Sequence, residues 1–187
     1  WWTVCETSLE KKYPSSEKDI TDSPASLYGA TKKSNEIIAS AYSSTHKIKT
    51  TGLRFFTVYG PWGRPDMALF YFYNSILRNK KINIFNKGNM LRDFTYVEDV
   101  AFSILKIIKK KEKRSNSLYK ILNIGNSSPI HLKKFIFHIE KVLGKKSKKN
   151  YMPMQIGDVK KSLADCEKIN KFINFKPKTS IEVGIKK

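Results

Sequence analysis

The chain is 187 residues long with 40% hydrophobic residues, enough to bury a core of its own, which excludes a disordered segment or a short interaction peptide. Its 36 Lys+Arg against 16 Asp+Glu leave a formal charge of +20, a balance that invites nucleic acid or an anionic membrane surface as partner. The kind of cation argues against both: only 5 of the 36 are arginines (Arg54, Arg64, Arg78, Arg92 and Arg114), whereas base and phosphate recognition favours the bidentate guanidinium.

Two cysteines, Cys5 and Cys166, cannot build a disulfide framework, and no charged stretch followed by an apolar one opens the chain, so a cytoplasmic protein is expected. The longest apolar run, Met67 to Ile76, is broken by tyrosines and Asn74 and falls short of the roughly 18 residues a bilayer span needs. No membrane partner is expected.

Residues 1–22 show neither helical nor strand periodicity and read as loop. Asp22-Ser23-Pro24 then supplies a cap and a proline, and Ala25 to Tyr42 holds one glycine and no further proline, which predicts a helix. Gly52 to Tyr59 is an aromatic and β-branched run closed by Gly60-Pro61, short and sharply bounded, and predicts one buried strand. Arg54 inside it needs a carboxylate partner, because a lone buried charge is too costly.

Past the Pro/Gly loop at residues 60–65, Met67 to Leu77 reads as helix, Ile82 to Phe85 as strand, Asp93 to Val97 as a short strand and Glu98 to about Lys109 as helix. A charged linker (109–117) leads to a strand from Tyr119 to Ile124, an amphipathic helix from His131 to Leu143 and a last short helix from Asp165 to Phe172. The alternation predicts an α/β chain with a partly parallel sheet. The 9 glycines are scattered singly, with no Gly-x-Gly-x-x-Gly turn, so no loop to cradle a dinucleotide pyrophosphate is visible. His46, His131 and His138 have no ligand partners at metal-binding spacing and read as surface or satisfied histidines; no metal site is expected.

The sharpest local signal is Tyr28-Gly29-Ala30-Thr31-Lys32. Four residues on a helix is just over one turn, so hydroxyl and ammonium project from one face, and a nearby cation favours the phenolate that a tyrosine general base requires. The spacing alone is more often that of a half-buried tyrosine beside a surface lysine.

Three longer stretches carry more. Ser26-Leu27-Tyr28-Gly29-Ala30-Thr31-Lys32, then Thr51-Gly52-Leu53-Arg54-Phe55-Phe56-Thr57-Val58-Tyr59-Gly60-Pro61-Trp62-Gly63-Arg64-Pro65-Asp66-Met67-Ala68, then Arg92-Asp93-Phe94-Thr95-Tyr96-Val97-Glu98-Asp99-Val100 resemble the extended short-chain dehydrogenase/reductases. Among these the resemblance is closest to UDP-glucuronate 4-epimerases. With Asn123-Ile124-Gly125-Asn126 and Met152-Pro153-Met154-Gln155-Ile156-Gly157-Asp158 it runs from about Tyr13 to the carboxyl end.

The resemblance implies NAD as cofactor, a UDP-sugar as substrate and inversion at C4 through a 4-keto sugar. By it, Tyr28 is the base, Lys32 its supporting cation and a contact to the nicotinamide ribose, and Thr3 the neighbouring hydroxyl. Phe55 also lies at the cofactor. Thr57 and Arg64 hold the hexuronate, and a planar guanidinium suits a carboxylate in its own right. Arg92 pairs with the diphosphate, Phe85 packs on the uracil, and Gln155 and Asp158 face the ribose and phosphates. Phe85 reads equally well as strand core.

The fold implied is the carboxyl-terminal part of a Rossmann-type doubly wound sheet plus a smaller α/β substrate-binding domain. Residues 1–60 would be a remnant of the NAD-binding domain with the catalytic helix; residues 61–187 would be mainly the UDP-sugar domain, with some segments returning to the Rossmann sheet. Upstream of Tyr28 the family has a serine-rich strand end, whereas this chain has Trp1-Trp2-Thr3-Val4-Cys5-Glu6. A truncated or frameshifted reading frame would produce that change, leaving a chain inactive alone. The competing readings are a non-catalytic UDP-sugar-binding module and a lysine-rich nucleic-acid binder. The resemblance also implies a homodimer through the Tyr28 helix; with the first strands absent that helix would expose an apolar face including Leu27, Ile37 and Ile38, and low solubility of the chain alone is expected.

Overall fold

The computed structural model describes residues 13–24, 26–110, 117–155 and 158–187. The first helix, α1 (Leu27–His46), opens later than the Asp22-Ser23-Pro24 signal predicts because Ser26 is the cap: its Oγ accepts the Gly29 N–H at 3.0 Å. It also runs one turn past Tyr42. Nothing in that turn breaks a helix, and the stop comes at Lys47, in the left-handed region at φ 57°. Ser43, fully buried near that end, donates its hydroxyl to the carbonyls of Ile48 (2.6 Å) and Leu118 (3.0 Å), which ties the helix end to the strand that follows.

The predicted single strand from Gly52 to Tyr59 is two. Strand β1 (Thr50–Phe55) pairs in parallel with β6 (Tyr119–Ile124), in register from Thr50 opposite Tyr119 to Phe55 opposite Ile124. At Phe56 the chain changes partner: its N–H still donates to the Ile124 carbonyl, whereas the next N–H, of Thr57, donates to the Asp93 carbonyl. From there β2 (Thr57–Tyr59) pairs in parallel with β5 (Phe94–Tyr96). A parallel pair needs a long crossover, and α2 (Ala68–Leu77) lies within the one between β2 and β5.

Three short strands, a 3-10 turn and a last short helix escape the sequence patterns. Strand β3 (Lys81–Ile84) lies where a strand is predicted; it is followed by the 3-10 turn, Phe85–Gly88, and pairs in parallel with β8 (Lys148–Tyr151), whose four residues are all exposed and so show no alternation. Strand β4 (Leu91–Arg92) pairs antiparallel with β7 (Ile130–His131). The C-terminal helix α6 (Ile181–Lys186) is capped by Ser180. The remaining helices, α3 (Val97–Lys109), α4 (Leu132–Leu143) and α5 (Glu167–Ile173), lie within a residue or two of their predicted positions.

Two clusters form the core. One gathers Ile76, Ile82, Ile84, Tyr96 and Ile139 around the stacked rings of Phe94 and Phe135, whose centroids are 4.1 Å apart. The other gathers Phe55, Val100, Leu122, Ile124 and Ile169 between β1, β6, α3 and α5. Each fully buried Ile, Leu or Phe contributes about 1.5–3 kcal/mol relative to exposure. Arg54 in the second region finds the carboxylate that its burial demands: Glu36 of α1. No described helix is long and apolar enough to cross a membrane.

Candidate active site

Three groupings carry the residues singled out by sequence. In the first, Tyr28 and Lys32 share a face of the first turns of α1, with the Lys32 ammonium 5.1 Å from the Tyr28 ring centroid. Tyr28 is 52% exposed, so its hydroxyl is open to a ligand. Thr3, assigned beside it by sequence, lies outside the described residues.

The second grouping follows β2. Thr57 opens the strand and lines a cleft of about 30 Å³ with Gly60, Gly63, Met67, Phe70 and Phe94. Gly60 sits at φ 132°, and a Cβ there would lie 2.7 Å from Val97 Cγ1, so both conformation and space require glycine. Beyond this turn Arg64 is exposed, with Nε 3.4 Å from Asp66 Oδ1 and Nη2 3.5 Å from Met67 Sδ. A guanidinium held by an exposed carboxylate and a thioether sulfur is readily drawn to another anion, because such exposed pairs contribute about 0–1 kcal/mol.

The third grouping lies at β4. Arg92 donates from Nη2 to Asp158 Oδ1 at 2.8 Å and from Nη1 to the Leu91 carbonyl at 3.1 Å. Asp158 also accepts the Val159 N–H at 2.8 Å, and its own N–H donates to the carbonyl of Gln155, whose side chain is exposed. Sequence reasoning set Arg92 and Asp158 separately against a nucleotide; the fold joins them to each other. Phe85, just past β3, is half-buried and packs on the first core cluster.

Phe55 stands differently. It is 7% exposed inside the second cluster, so its ring packs in the core. His46 and His131 are exposed as expected. His138 is buried, with Nδ1 3.7 Å from Glu182 Oε1 and Nε2 unpartnered among the described residues; burial pushes its pKa below the usual imidazole range, against the pull of Glu182.

The comparison with known proteins fits these groupings. The model of the NAD dependent epimerase/dehydratase family matches residues 3–125. The chain belongs to the NAD-dependent epimerase/dehydratase family. Its curated relatives include Protein CapI of Staphylococcus aureus, 48% identical over 93% of this chain and 56% of that protein, and UDP-glucuronate 4-epimerase 5 of Arabidopsis thaliana, 44% identical over 96% of this chain and 44% of that protein. This epimerase-family chain thus spans about half the length of the curated relatives it matches.

Among solved structures, a Bacillus cereus UDP-glucuronic acid 4-epimerase in complex with UDP-glucuronic acid and NAD superposes with TM-score 0.89 and 30% identity, covering 98% of this chain and 57% of that one. The residues of this family member fit one end of such a cofactor: Tyr28 and Lys32 present a hydroxyl and an ammonium on an open helix face. They do not fit its pyrophosphate, since the sequence has no Gly-rich strand-to-helix turn.

Next to Arg92, Asp93 is fully buried with its carboxylate bonded to backbone N–H groups. Sequence reasoning sets it at the start of a strand and within the Arg92 to Val100 stretch but gives it no role, and its one local signal is an acidic residue inside an apolar strand pattern.

Proposed function

We propose that these residues form the UDP-sugar-binding part, with the catalytic helix, of a cytoplasmic NAD-dependent epimerase that interconverts UDP-glucuronate and UDP-galacturonate at C4. The observation that carries this reading is the open Tyr28–Lys32 pair, on a chain that follows over 98% of its length an enzyme holding UDP-glucuronic acid and NAD. Residues 1–60 belong in this reading to the dinucleotide-binding domain and residues 61–187 mainly to the UDP-sugar domain, with β6 returning to β1. The apolar residues that α1 exposes, Leu27, Ile37, Ile38 and Tyr42, support a homodimer through that helix.

Mechanistically, Tyr28 takes the proton of the sugar 4-hydroxyl and later returns one to the oxygen of the 4-keto sugar, while Lys32 steadies the charge that develops on the Tyr28 oxygen. Thr3 would complete this group. Lys32 would hold the nicotinamide ribose of NAD, which would supply the acceptor and donor of the C4 hydride. Thr57 and Arg64 hold the hexuronate, the substrate carboxylate displacing Asp66 from the guanidinium fork. Arg92 turns toward the diphosphate, Gln155 and Asp158 toward the ribose, and Phe85 packs beside the uracil.

Because no Gly-rich turn is present, the cofactor pyrophosphate is bound by chain outside these residues. The 187-residue chain alone is then expected to bind UDP in the high-micromolar to millimolar range, about −4 to −6 kcal/mol, and to show no turnover with added NAD. Joined to a dinucleotide-binding half, it is expected to epimerise UDP-glucuronate. Robust turnover by the isolated chain would overturn the division of labour, and absence of UDP binding would overturn the sugar-nucleotide assignment. The lack of a pyrophosphate cradle also favours a second reading, a UDP-sugar-binding module without catalysis; failure of the joined protein to turn over, with UDP binding intact, would select it.

A further inference from the structure

Asp93 is a fully buried carboxylate at the junction of three chain segments. Its Oδ1 accepts the N–H of Asn126 at 3.0 Å, and its Oδ2 accepts the N–H groups of Ser127 and Ala164, each at 3.0 Å. A Cβ at Gly125 would lie 3.0 Å from Oδ2, so the chain passes over the carboxylate as closely as backbone allows. The same junction is stitched along its edges. Asp93 N–H donates to Ser162 Oγ at 3.3 Å, Leu91 N–H to the Lys160 carbonyl at 2.9 Å, and Ser162 N–H to the Leu91 carbonyl at 3.0 Å. Burial pushes the Asp93 carboxyl up from its usual range, with the backbone donors pulling it down. A carboxylate so buried persists because its oxygens are satisfied by N–H groups.

Successive side chains in extended backbone point to opposite sides. Arg92 therefore faces away from this junction, toward Asp158, four residues before Ser162 on the segment that Asp93 ties down. The Arg92–Asp158 geometry consequently depends on where residues 160–164 lie relative to β4, and the Asp93 carboxylate sets that position.

We propose that Asp93 is a positioning residue for sugar-nucleotide binding, holding the 158–164 segment against β4 so that the Arg92 guanidinium is presented to the diphosphate. The proposal rests on the reading that Arg92 takes the diphosphate. Asparagine cannot substitute: its amide nitrogen would face a backbone N–H where an oxygen now accepts.

The test is UDP titration of the 187-residue chain, followed by NMR or calorimetry, in wild type, Asp93→Asn, Arg92→Ala and the double variant. Asp93→Asn alone is expected to weaken UDP binding about tenfold; in the Arg92→Ala background it is expected to weaken it less than about twofold, because the residue through which it acts is gone. Equal losses in both backgrounds would overturn the positioning role, since a general structural defect ignores Arg92. Ser162→Ala, a milder change that removes the acceptor of the Asp93 N–H, is expected to show the same coupling at smaller size, and its absence there would also overturn the proposal. If Arg92→Ala leaves UDP affinity unchanged, or the wild-type chain does not bind UDP, the reading of Arg92 itself fails. If Arg92→Ala weakens binding and Asp93→Asn does not, only the positioning role fails.

Discussion

Arg54 of β1 and Glu36 of α1 form a bidentate pair inside the protein, Nε to Oε1 at 2.7 Å and Nη2 to Oε2 at 2.8 Å, with side chains 4% and 9% exposed. It fixes the helix that carries Tyr28 and Lys32 to the strand that leads into Thr57. Breaking one side leaves an uncompensated buried charge, so Glu36→Ala is expected to cost about 3–5 kcal/mol in a urea melt of the chain. Replacing both with apolar residues of similar volume, Glu36→Leu with Arg54→Met, is expected to cost far less than the single change. A double variant as unstable as Glu36→Ala would mean that the pair is more than a mutually compensating couple.

Tyr28→Phe removes a hydroxyl that is exposed and outside the core, so the fold is expected to keep its stability. In the joined, NAD-binding protein the expected loss is about 10²–10⁴-fold in turnover, with UDP affinity unchanged. Weakened UDP binding in that variant would place Tyr28 in nucleotide recognition instead of proton transfer.

Arg64→Ala tests recognition of the sugar carboxylate. Its partners Asp66 and Met67 are exposed or half-exposed, so stability is expected to change little. The kcat/KM for UDP-glucuronate is expected to fall by an amount corresponding to about 1.5–3 kcal/mol, the range for a hydrogen bond to a charged group, while that for UDP-glucose is spared. Equal loss on both sugars would remove the carboxylate role.

Acid stability has a group of its own at the end of α4. Glu140 is buried, which by itself raises its pKa; the Ser147 hydroxyl, the Ser147 N–H and Lys149 outweigh burial and bring it below the ordinary 4.5. A carboxyl with a lowered folded pKa stabilises the fold above its unfolded value and loses that contribution as pH falls through the folded one. Wild type is therefore expected to lose stability from about pH 4.5 downward, and Glu140→Gln to start less stable at neutral pH and fall less over that interval. Parallel pH profiles for the two proteins would assign the acid sensitivity elsewhere.

How much of this was legible beforehand depended on whether the signal was local. The α/β alternation, the position of β6, and the need of Arg54 for a carboxylate are properties of short windows, set by side-chain periodicity and the cost of a buried charge. The Tyr28–Lys32 arrangement was equally legible, because helix geometry alone brings residues four apart to one face. The start of α1 was misjudged because two polar stretches competed for the cap, and the hydroxyl that reaches a free N–H is that of Ser26.

What only the tertiary structure decided are the relationships between distant segments. Nothing within residues 50–59 marks Phe56 as the point where one strand leaves β6 for β5; the Asp93 carbonyl waiting for Thr57 does. Phe55 carries the composition of a site motif, yet its ring is enclosed by Leu122, Ile124 and Ile169 from far along the chain. Arg92 meets Asp158 across 66 residues of chain, and Asp93 gathers N–H groups from Asn126, Ser127 and Ala164. The residue types that could do chemistry were set by the sequence itself. Which of them meet is decided by long-range packing and backbone hydrogen bonding, for which no local pattern exists.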